Sequence, residues 1–385
     1  MIRDREKLDR LLNEVHQWVR EVAHPNEDLV AAGDLVPDAI VKDMAERGFF
    51  GWSIPVEYGG LGLTTEELVL AALELSQCAV AFRARVGTNT GIGSEALVAD
   101  GTEEQKKRFL PRLASGEATG CLALTEENAG SEASAIETSA ILEGDEYILN
   151  GSKRYITNAP IADMFTVFAR TDPDSKGSRG ISAFLIERDT PGLSTSAPYK
   201  MMGQSGSPVG EVYFENCRVS KENLIGGKEG LGFKTAMKVL NKQRIHLSAL
   251  CTGPAIRMLD MAMDHASTRK QFGKPIIDFQ LVAALLADCQ TEIQVAKSMV
   301  LETARARDEG KDIALEASIS KYYASEMCGR VADRCVQVFG GAGFVADHSS
   351  IERYYRDIRL FRLYEGTSQM HQLNIARQMQ RRRAS

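Results

Sequence analysis

The sequence has few of the features that mark secreted, membrane or metal-binding proteins. Its 385 residues include seven cysteines, none in a CxxC pair, and six histidines with no HxxxH or HExxH spacing. Scattered thiols in an odd number are typical of a reduced, cytoplasmic protein, and the histidine spacing gives a metal site no support. No stretch approaches the ~18 uninterrupted apolar residues of a membrane span. The charged start MIRDREKLDR does not resemble a signal peptide.

The chain also has no excess of positive charge. The formal net charge is −6, and the one basic cluster is the RRR run at 381–383. A general nucleic-acid surface is therefore not expected, and the basic cluster is typical of a solvated tail. With 44% apolar and 25% charged residues the chain has the composition of a globular protein, and its length predicts two or three domains.

Hydrophobic periodicity divides the chain into three regions. Up to about residue 120 the period is helical, and residues 64–67 (TTEE) and 102–105 (TEEQ) have the pattern of capping boxes. From about 121 to 225, short apolar runs alternate with turn residues, and the Asn150-Gly151 pair is a hairpin signal. Long amphipathic segments then follow at 231–268, 280–308 and 312–338, with a fourth from near Thr367. Pro254 is expected to kink or interrupt the first of these segments, and Asp278 to cap the second.

These patterns predict an α+β multidomain protein. We expect an N-terminal α-helical domain over residues 1–120, a middle antiparallel β-domain over 121–228 and a C-terminal four-helix bundle over 229–385. No GxGxxG follows a strand, which makes a Rossmann nucleotide site improbable.

Four polar stretches could carry chemistry, and each also has an ordinary structural explanation. Residues 124–132 (LTEENAGSE) could wrap the polar edge of a ring and a phosphate, or form a simple turn. Residues 155–158 (YITN) could stack on a flat heterocycle, or end a half-buried strand. Residues 269–274 (RKQFGK) suit a pyrophosphate, but also the end of a helix. Residues 337–343 (QVFGGAG) end the third long segment, where paired glycines are also common as a cap.

A single carboxylate near the end of the chain raises a sharper question. Glu365 lies in LFRLYEGTSQM, between apolar residues and a flexible stretch rich in hydroxyl groups. It could be an acid that complements the dipole of a helix start, or a base held in a dry pocket. Its local sequence alone favours the first interpretation.

The order of the motifs resembles that of the acyl-CoA dehydrogenases. VEYGGLG, LTEENAGSE, NGSKRYITN, RKQFGKPI, QVFGGAGF and YEGTSQ follow one another at the family spacing, over essentially the whole chain. By this resemblance Glu365 is the catalytic base. It would remove the α-proton of an acyl-CoA thioester while a hydride leaves the β-carbon for N5 of FAD, and the trans-2-enoyl-CoA is formed. Electrons would pass to an electron-transfer flavoprotein. An acyl-CoA oxidase or an enoyl-CoA reductase on the same scaffold is the alternative.

The resemblance also implies which residues bind the cofactor and the substrate. FAD is expected in a homotetramer, a dimer of dimers, in which one FAD site draws on two subunits. The residues expected to contact FAD are Leu122, Leu124, Thr125, Gly130, Ser131, Tyr155, Thr157, Arg269, Gln271, Phe272, Phe279, Gln280, Gln337, Val338, Gly340, Gly341, Thr367 and Gln369. Those expected to contact the acyl-CoA are Ser131, Asn241, Arg244, Tyr364 and Gly366.

The sequence departs from the family pattern at four positions. Glu127, Asn128 and Glu132 replace a Pro, a small residue and an Asp in the flavin loop, and Tyr155 stands where Trp or Phe is usual. A flavin-bearing DNA-protective protein on this fold would need a basic groove, which the net charge of −6 makes improbable. A non-catalytic relative would be expected to lack Glu365.

Overall fold

The computed structural model describes residues 1–175 and 177–384, and it begins with a helical region. Its helices are α1 (Arg5–Trp18), α2 (His24–Gly33), α3 (Asp38–Glu46), α4 (Thr65–Leu75), α5 (Val80–Gly87), α6 (Glu95–Asp100) and α7 (Glu103–Ser115). Short π-helical segments follow α1 at Val19–Ala23 and α5 at Thr88–Ile92. Trp18 lies at the centre of this region, where Phe49 and Phe82 pack edge-on against its ring at centroid distances of 5.4 and 5.7 Å.

Both predicted capping boxes are present. At the start of α4 the Thr64 hydroxyl accepts from the backbone N–H of Glu67, whose carboxylate accepts from the N–H of Thr64. Thr102 and Gln105 make the same reciprocal pair at the start of α7. Each pair satisfies two backbone donors that the helix leaves free, which fixes where the two helices begin.

The middle region is a seven-stranded sheet in the order β1-β4-β2-β3-β7-β6, with β5 paired to β4. Its strands are β1 (Gly120–Ala123), β2 (Ser139–Glu143), β3 (Glu146–Thr157), β4 (Met164–Arg170), β5 (Ile181–Glu187), β6 (Leu193–Thr195) and β7 (Val209–Ser220). Most pairs are antiparallel, as expected. β1 nevertheless runs parallel to β4, in a register that sets Gly120 opposite Met164, and the short β2–β4 contact is also parallel.

The Asn150-Gly151 pair is not the hairpin turn that it was predicted to be. The β2–β3 turn is made by Gly144 and Asp145, since Glu143 pairs with Glu146 across it and Gly144 has a φ of +66°. Gly151 instead lies inside β3, at a register shift against β7, with a φ of +140°. A Cβ at this position would approach Cα of Thr138 to 2.8 Å. The glycine is therefore required for a bulge and a close chain approach, and not for a turn.

Four long helices form the C-terminal region as predicted. They are α8 (Gly232–Thr268), α9 (Gln280–Asp308), α10 (Ala314–Phe339) and α12 (Ser368–Ala384). The short strands β8 (Lys270–Gln271) and β9 (Lys274–Pro275) form a hairpin between α8 and α9, and α11 (Ile351–Asp357) precedes α12. A buried apolar cluster from α8, α9 and α10 is the core of the bundle.

Two local expectations concern these helices. Of the two outcomes expected at Pro254, the interruption does not occur, since α8 runs through this residue. The helix packs closely there, because a Cβ on Gly253 would lie 2.0 Å from Oγ of Ser76. That packing holds the turn in place although Pro254 donates no hydrogen bond. Asp278 does not cap α9 but ends a 3₁₀ turn, and Phe279 takes the cap position without a side-chain bond.

Polar side chains join the three regions. Asn158, at the end of β3, is buried and donates to the Ala84 carbonyl at 3.1 Å and to Oγ1 of Thr88 at 2.9 Å. The amide of Gln204, in the segment between β6 and β7, donates to the Asp357 carbonyl of α11 at 3.0 Å. None of the helices formed by the described residues is long and apolar enough to cross a membrane.

The role of Gly151 is tested by two alanine substitutions in the same hairpin. Gly151→Ala adds a Cβ that overlaps the Thr138 backbone, whereas Gly144→Ala has nothing within 4 Å of its new Cβ. Both variants have the strain of a positive φ, so we expect Gly151→Ala to lower the free energy of unfolding by about 1–3 kcal/mol more than Gly144→Ala. Urea unfolding measures the difference, and equal losses would show that the backbone relaxes around the added methyl group.

Candidate active site

A cleft of about 710 Å³ lies where the three regions meet. Helices α5 and α8, strands β1 and β3 and the segment before α12 all contribute to its walls. The predicted site residues that line it are Leu122, Leu124, Thr125, Gly130, Ser131, Tyr155, Thr157, Arg244, Tyr364, Glu365 and Gly366. Residues that are up to 244 positions apart in the sequence are thus brought to one cavity, since the first of them is Leu122 and the last Gly366.

Glu365 lies in this cleft, in the turn before α12, with a φ of +53°. Within residues 1–175 and 177–384 its Oε2 atom is buried and has no hydrogen-bond partner. Burial raises the pKa of the carboxyl group, and the nearby charges of Arg83, Lys321 and Arg244 oppose that rise. The start of α12 is capped by another residue, because Oγ1 of Thr367 accepts from the backbone N–H of Met370 at 3.2 Å. Glu365 is therefore a half-buried residue with one buried carboxylate oxygen in the cleft, and it is not the acid that caps α12.

The turn that carries Glu365 is held by buried polar side chains. The ammonium group of Lys321, which is fully buried in α10, donates to the Gly366 carbonyl at 2.7 Å. Gly366 has a φ of +97°, and a Cβ there would lie 3.1 Å from Nε2 of the buried His371. Glycine is needed at this position both for the backbone conformation and for the close approach of the histidine. The carboxylate is consequently presented from a backbone that has little freedom to move.

The loop at 124–131 is fixed to β3 by a buried ion pair. Nζ of Lys153, which is fully buried, lies 2.7 Å from Oε1 of Glu126 and also donates to the Leu124 carbonyl at 3.2 Å. The Glu126 carboxylate accepts from the backbone N–H groups of Glu137 and Thr138 at 2.6 and 3.0 Å. Burial lowers the pKa of Lys153 to about 8 although Glu126 opposes the change. The loop is therefore an ordered wall of the cleft and more than a simple turn.

The family's Pro is replaced in this loop by Glu127, whose effect is confined to the surface. Its exposed carboxylate lies 2.9 Å from Nη1 of Arg154, while the backbone N–H of Arg154 donates to the Thr125 carbonyl at 2.8 Å. The loop is thus tied to β3 by main-chain and buried contacts that do not involve a proline.

Tyr155 presents an aromatic surface to the cleft. A register shift between Lys153 and Ile156 lets Tyr155 adopt a φ of +57°, which leaves its side chain 66% exposed. The ring of Tyr199 lies beside it, at a centroid distance of 5.7 Å. An exposed aromatic residue with a strained backbone, beside the hydroxyl groups of Thr125 and Thr157, fits a flat heterocycle such as a flavin. The site residues present therefore fit FAD.

The remaining predicted residues lie outside this cleft. Arg269, Gln271 and Phe272 are exposed at the β8–β9 hairpin, and the Phe272 side chain is 94% exposed against the ring of Phe279. Outside the cleft lie Phe279, Gln280, Gln337, Val338, Gly340, Gly341, Thr367, Gln369 and Asn241. Among them Val338 is buried in the bundle core, and Oδ1 of Asn241 accepts from Nη1 of Arg244 at 2.9 Å. The predicted substrate contact of Asn241 and the predicted FAD contacts of the other residues, across a subunit interface for those of 269–280 and 337–341, stay predictions.

Sequence reasoning missed several polar residues at or beside the cleft, among them Arg83, Gln204, Gln243, His246 and Lys321. The available signal was a cation at the core-facing positions of an apolar helix, since Arg83 follows CAVAF and Lys321 follows ASIS. In the described parts of the chain, no group of three His, Cys, Asp or Glu side chains is placed to hold a metal ion.

A carboxylate with a buried oxygen lies beside a wall that fits a flat cofactor, between two helical regions and a sheet, and this arrangement points to a flavin-dependent oxidoreductase. Comparison with known families identifies it further. The chain matches the N-terminal domain of acyl-CoA dehydrogenases over residues 5–117, the middle domain over 121–217 and the C-terminal domain over 230–380. The chain belongs to the acyl-CoA dehydrogenase family. It is accordingly an oxidoreductase and a flavoprotein with FAD as its cofactor.

Individual relatives agree with this assignment along almost their whole length. A 3-(aryl)acrylate reductase of Clostridium sporogenes is 40% identical, with 94% of this chain and 98% of the relative covered. An acyl-CoA dehydrogenase of Bacillus subtilis is 37% identical, with 94% and 95% covered. The subunit CarC of a caffeyl-CoA reductase–Etf complex of Acetobacterium woodii is 38% identical, with 88% and 89% covered. The butyryl-CoA dehydrogenase structure of Megasphaera elsdenii superposes with a TM-score of 0.93 at 33% identity, with 97% of each chain covered.

The buried ion pair is tested by comparing two neighbouring cations of β3. Lys153→Met leaves Glu126 buried without its cation, so we expect the free energy of unfolding to fall by about 3–5 kcal/mol. Arg154→Met removes only the partly exposed pairs with Glu127 and Glu211 and should cost less than about 1 kcal/mol. Denaturant unfolding and the ratio of flavin to protein absorbance measure both variants. Equal stability and equal FAD retention would contradict the role assigned to Lys153.

Proposed function

We propose that the protein dehydrogenates an acyl-CoA thioester to the trans-2-enoyl-CoA, with Glu365 removing the α-proton. The observation that carries this proposal is the Glu365 carboxylate in the cleft, whose Oε2 atom is buried with no partner in the described chain and whose pKa is raised. A carboxylate in water is a poor base for a carbon acid next to a thioester. Its basicity increases when water is removed, so burial supplies the property that the reaction needs.

The cations around Glu365 have a second effect. Burial alone would keep the carboxyl group protonated, and a protonated acid cannot accept the α-proton. The positive charges of Arg83, Lys321 and Arg244 oppose the rise in its pKa, so the group can still ionise. We infer that the same charges stabilise the negative charge that moves from the carboxylate towards the thioester oxygen as the proton is transferred.

The wall formed by Leu124, Thr125, Tyr155 and Thr157 would hold the flavin. FAD, when bound, supplies the two-electron acceptor for the hydrogen that leaves the β-carbon. The protein itself would position the substrate and exclude water. The loop held by the Glu126–Lys153 pair and the turn held by Lys321 keep the two sides of the cleft in place. The Arg244 guanidinium is inferred to contact the CoA side of the substrate.

We also propose a homotetramer in which each FAD site is completed by a second subunit. The support is the exposure of large apolar side chains on the C-terminal region, with Phe272 94% exposed, Phe344 86% and Leu281 83%. Association through these residues would place Arg269, Gln271 and Gln337 against the neighbour's cofactor. All seven cysteines are buried and free, which supports the expected cytoplasmic location.

An electron-transfer flavoprotein is the proposed redox partner, because a relative carries that association in its name. A second candidate is the reverse reaction, the reduction of an enoyl-CoA. It is favoured by relatives that are named reductases, and the same base would then act as the proton donor. The redox partner would set the direction of the reaction. Both candidates require Glu365, which is the base in one direction and the proton donor in the other.

Glu365→Gln tests the proposed base. The amide keeps the shape of the side chain but cannot accept a proton, so turnover should fall by at least about 10²–10⁴-fold while FAD stays bound. Anaerobic bleaching of the flavin by acyl-CoA measures the half-reaction directly. Glu352→Gln, which removes a partly exposed carboxylate that pairs with Arg356, is the control and should react like the wild type. Rapid bleaching in Glu365→Gln would show that the base is another group.

A further inference from the structure

A buried, reciprocal contact joins the helix before Glu365 to the segment that leads into β7. The backbone N–H of Gln204 donates to the carboxylate of Asp357, the last residue of α11. The Gln204 amide in turn donates to the Asp357 carbonyl at 3.0 Å. Asp357 is only 3% exposed and Gln204 only 4%. Because each residue binds the other, the contact fixes both the distance and the orientation of two chain segments that are 153 residues apart.

The carboxylate makes this contact strong. Burial raises the pKa of Asp357 to about 6, and the N–H of Gln204 opposes the rise. Of the nearby charges, Arg356 and Arg353 also oppose it and Glu27 adds to it. The group is therefore ionised above neutral pH, and a hydrogen bond to a carboxylate is about twice as strong as one between neutral groups. Such a bond can hold Gln204 at its φ of +62°, which is unusual for a residue with a side chain.

On one side of the contact, the chain from Asp357 to Glu365 is tightly packed. A 3₁₀ segment at Ile358–Arg362 continues α11, and its Phe361 is buried in the core of the bundle. The ring of Tyr364 stacks on Phe361 at a centroid distance of 6.1 Å and an interplanar angle of 9°. A displacement of the end of α11 is therefore expected to move Glu365 as well.

On the other side of the contact, the segment leads directly to the wall that fits a flavin. β7 begins at Val209, which pairs with Thr157 of β3. Just before it, the Pro208 carbonyl accepts from the backbone N–H of Asn158 at 2.7 Å. Gln204 and Thr157 both line the cleft. The contact thus connects the segment that carries the proposed base with the strand end that would hold the cofactor.

The segment lies directly on the end of α11. A Cβ on Gly203 would lie 2.6 Å from the carbonyl carbon of Arg356 and 2.7 Å from the backbone nitrogen of Asp357. Nη1 of Arg356 also donates to the Met202 carbonyl at 3.0 Å. Glycine at position 203 therefore permits the close approach that brings Gln204 to the Asp357 carboxylate.

We propose that Asp357 is a positioning residue, which sets the place of the Glu365 carboxylate relative to the flavin wall. This inference rests on the proposed function, because that reaction needs a base and a hydride acceptor on one acyl group at the same time. A displacement of about 1 Å caused far from the reacting atoms can cost on the order of 100-fold in rate. Asp357 itself lies outside the cleft and acts through Gln204.

Hydrogen–deuterium exchange of the FAD-loaded protein tests the link without turnover. Asp357→Ala should speed amide exchange at 204–210 and at 358–366 by about 10- to 100-fold, the range of one charged hydrogen bond. Asp357→Asn, whose amide oxygen can still accept, should restore part of the protection. Asp34→Ala is the matched control, because Oδ1 of Asp34 accepts from the backbone N–H of Gly206 at 2.7 Å and so binds the same segment from the N-terminal region. It should leave exchange at 358–366 unchanged.

Kinetics separates positioning from a general loss of structure. Anaerobic bleaching of the flavin is followed with butyryl-CoA and with butyryl-CoA deuterated at the α-carbon. Asp357→Ala should bleach about 10- to 100-fold more slowly, with a larger α-deuterium isotope effect and a Kd for butyryl-CoA within about twofold of the wild type. A variant that only contains less folded enzyme keeps the wild-type isotope effect. Gly203→Ala moves the segment away from α11 but keeps the carboxylate, and it should show the same changes even where Asp357→Ala does not fold.

The two measurements also separate this inference from the function on which it rests. Faster exchange at both segments, with no bleaching of the wild-type flavin by any acyl-CoA thioester, would overturn the dehydrogenase proposal and keep the link between the two walls. Wild-type exchange at 358–366 in Asp357→Ala, or slower bleaching with an unchanged isotope effect, would overturn the positioning role and make Asp357 a residue of the fold only.

Discussion

The architecture of the site depends on keeping one carboxylate out of water without neutralising it. Glu365 has a buried oxygen without a partner among the described residues, and a raised pKa. Three cations, Arg83, Lys321 and Arg244, act on it from α5, α10 and α8, and none of them forms an ion pair with it within 4 Å. A direct salt bridge would stabilise the carboxylate and weaken the base, whereas burial without any cation would keep it protonated. The observed arrangement lies between these two limits.

Much of the surrounding structure serves to hold this arrangement. Lys321 bonds to the carbonyl next to Glu365, and the buried Glu126–Lys153 pair holds the opposite loop. Both lysines are fully buried, and burial lowers the pKa of each. Burial of a charged side chain lowers the stability of a fold, and buried charges are kept where the position of a functional group depends on them. The protein thus gives up stability in order to fix the geometry of its cleft.

The sequence was sufficient for the parts of the fold that depend on local patterns. The long bundle helices follow from periodicity, and the starts of α4 and α7 follow from the capping boxes, because these depend on residues within one or two turns. The sequence was misleading at Asn150-Gly151. This dipeptide is typical of a hairpin turn, but here Gly151 lies at a bulge in β3 and packs against Thr138. A local pattern does not predict this contact, because only the tertiary fold brings the two chain segments together. Motif order predicted Glu365 as the base and residues 124–131 as the flavin loop, and the structure brings both to one cleft. Arg83, Gln243 and Lys321 were missed, since a polar side chain within a helix shows its function only when its neighbours are known.

The most direct measurement is the pH dependence of thermal unfolding of the FAD-loaded wild type and Glu365→Gln at one heating rate. An unfolded Glu side chain has a pKa of about 4.3. The folded protein holds this proton to a higher pH than the unfolded chain does. The wild type should therefore lose stability relative to Glu365→Gln as the pH rises from the unfolded pKa through the raised folded pKa, and the difference should stay constant above that pH. The account predicts that Glu365→Gln has the higher midpoint at pH 7 and that the two midpoints converge near pH 4. A midpoint difference that does not vary with pH, or a less stable amide at pH 7, would contradict a desolvated base at Glu365.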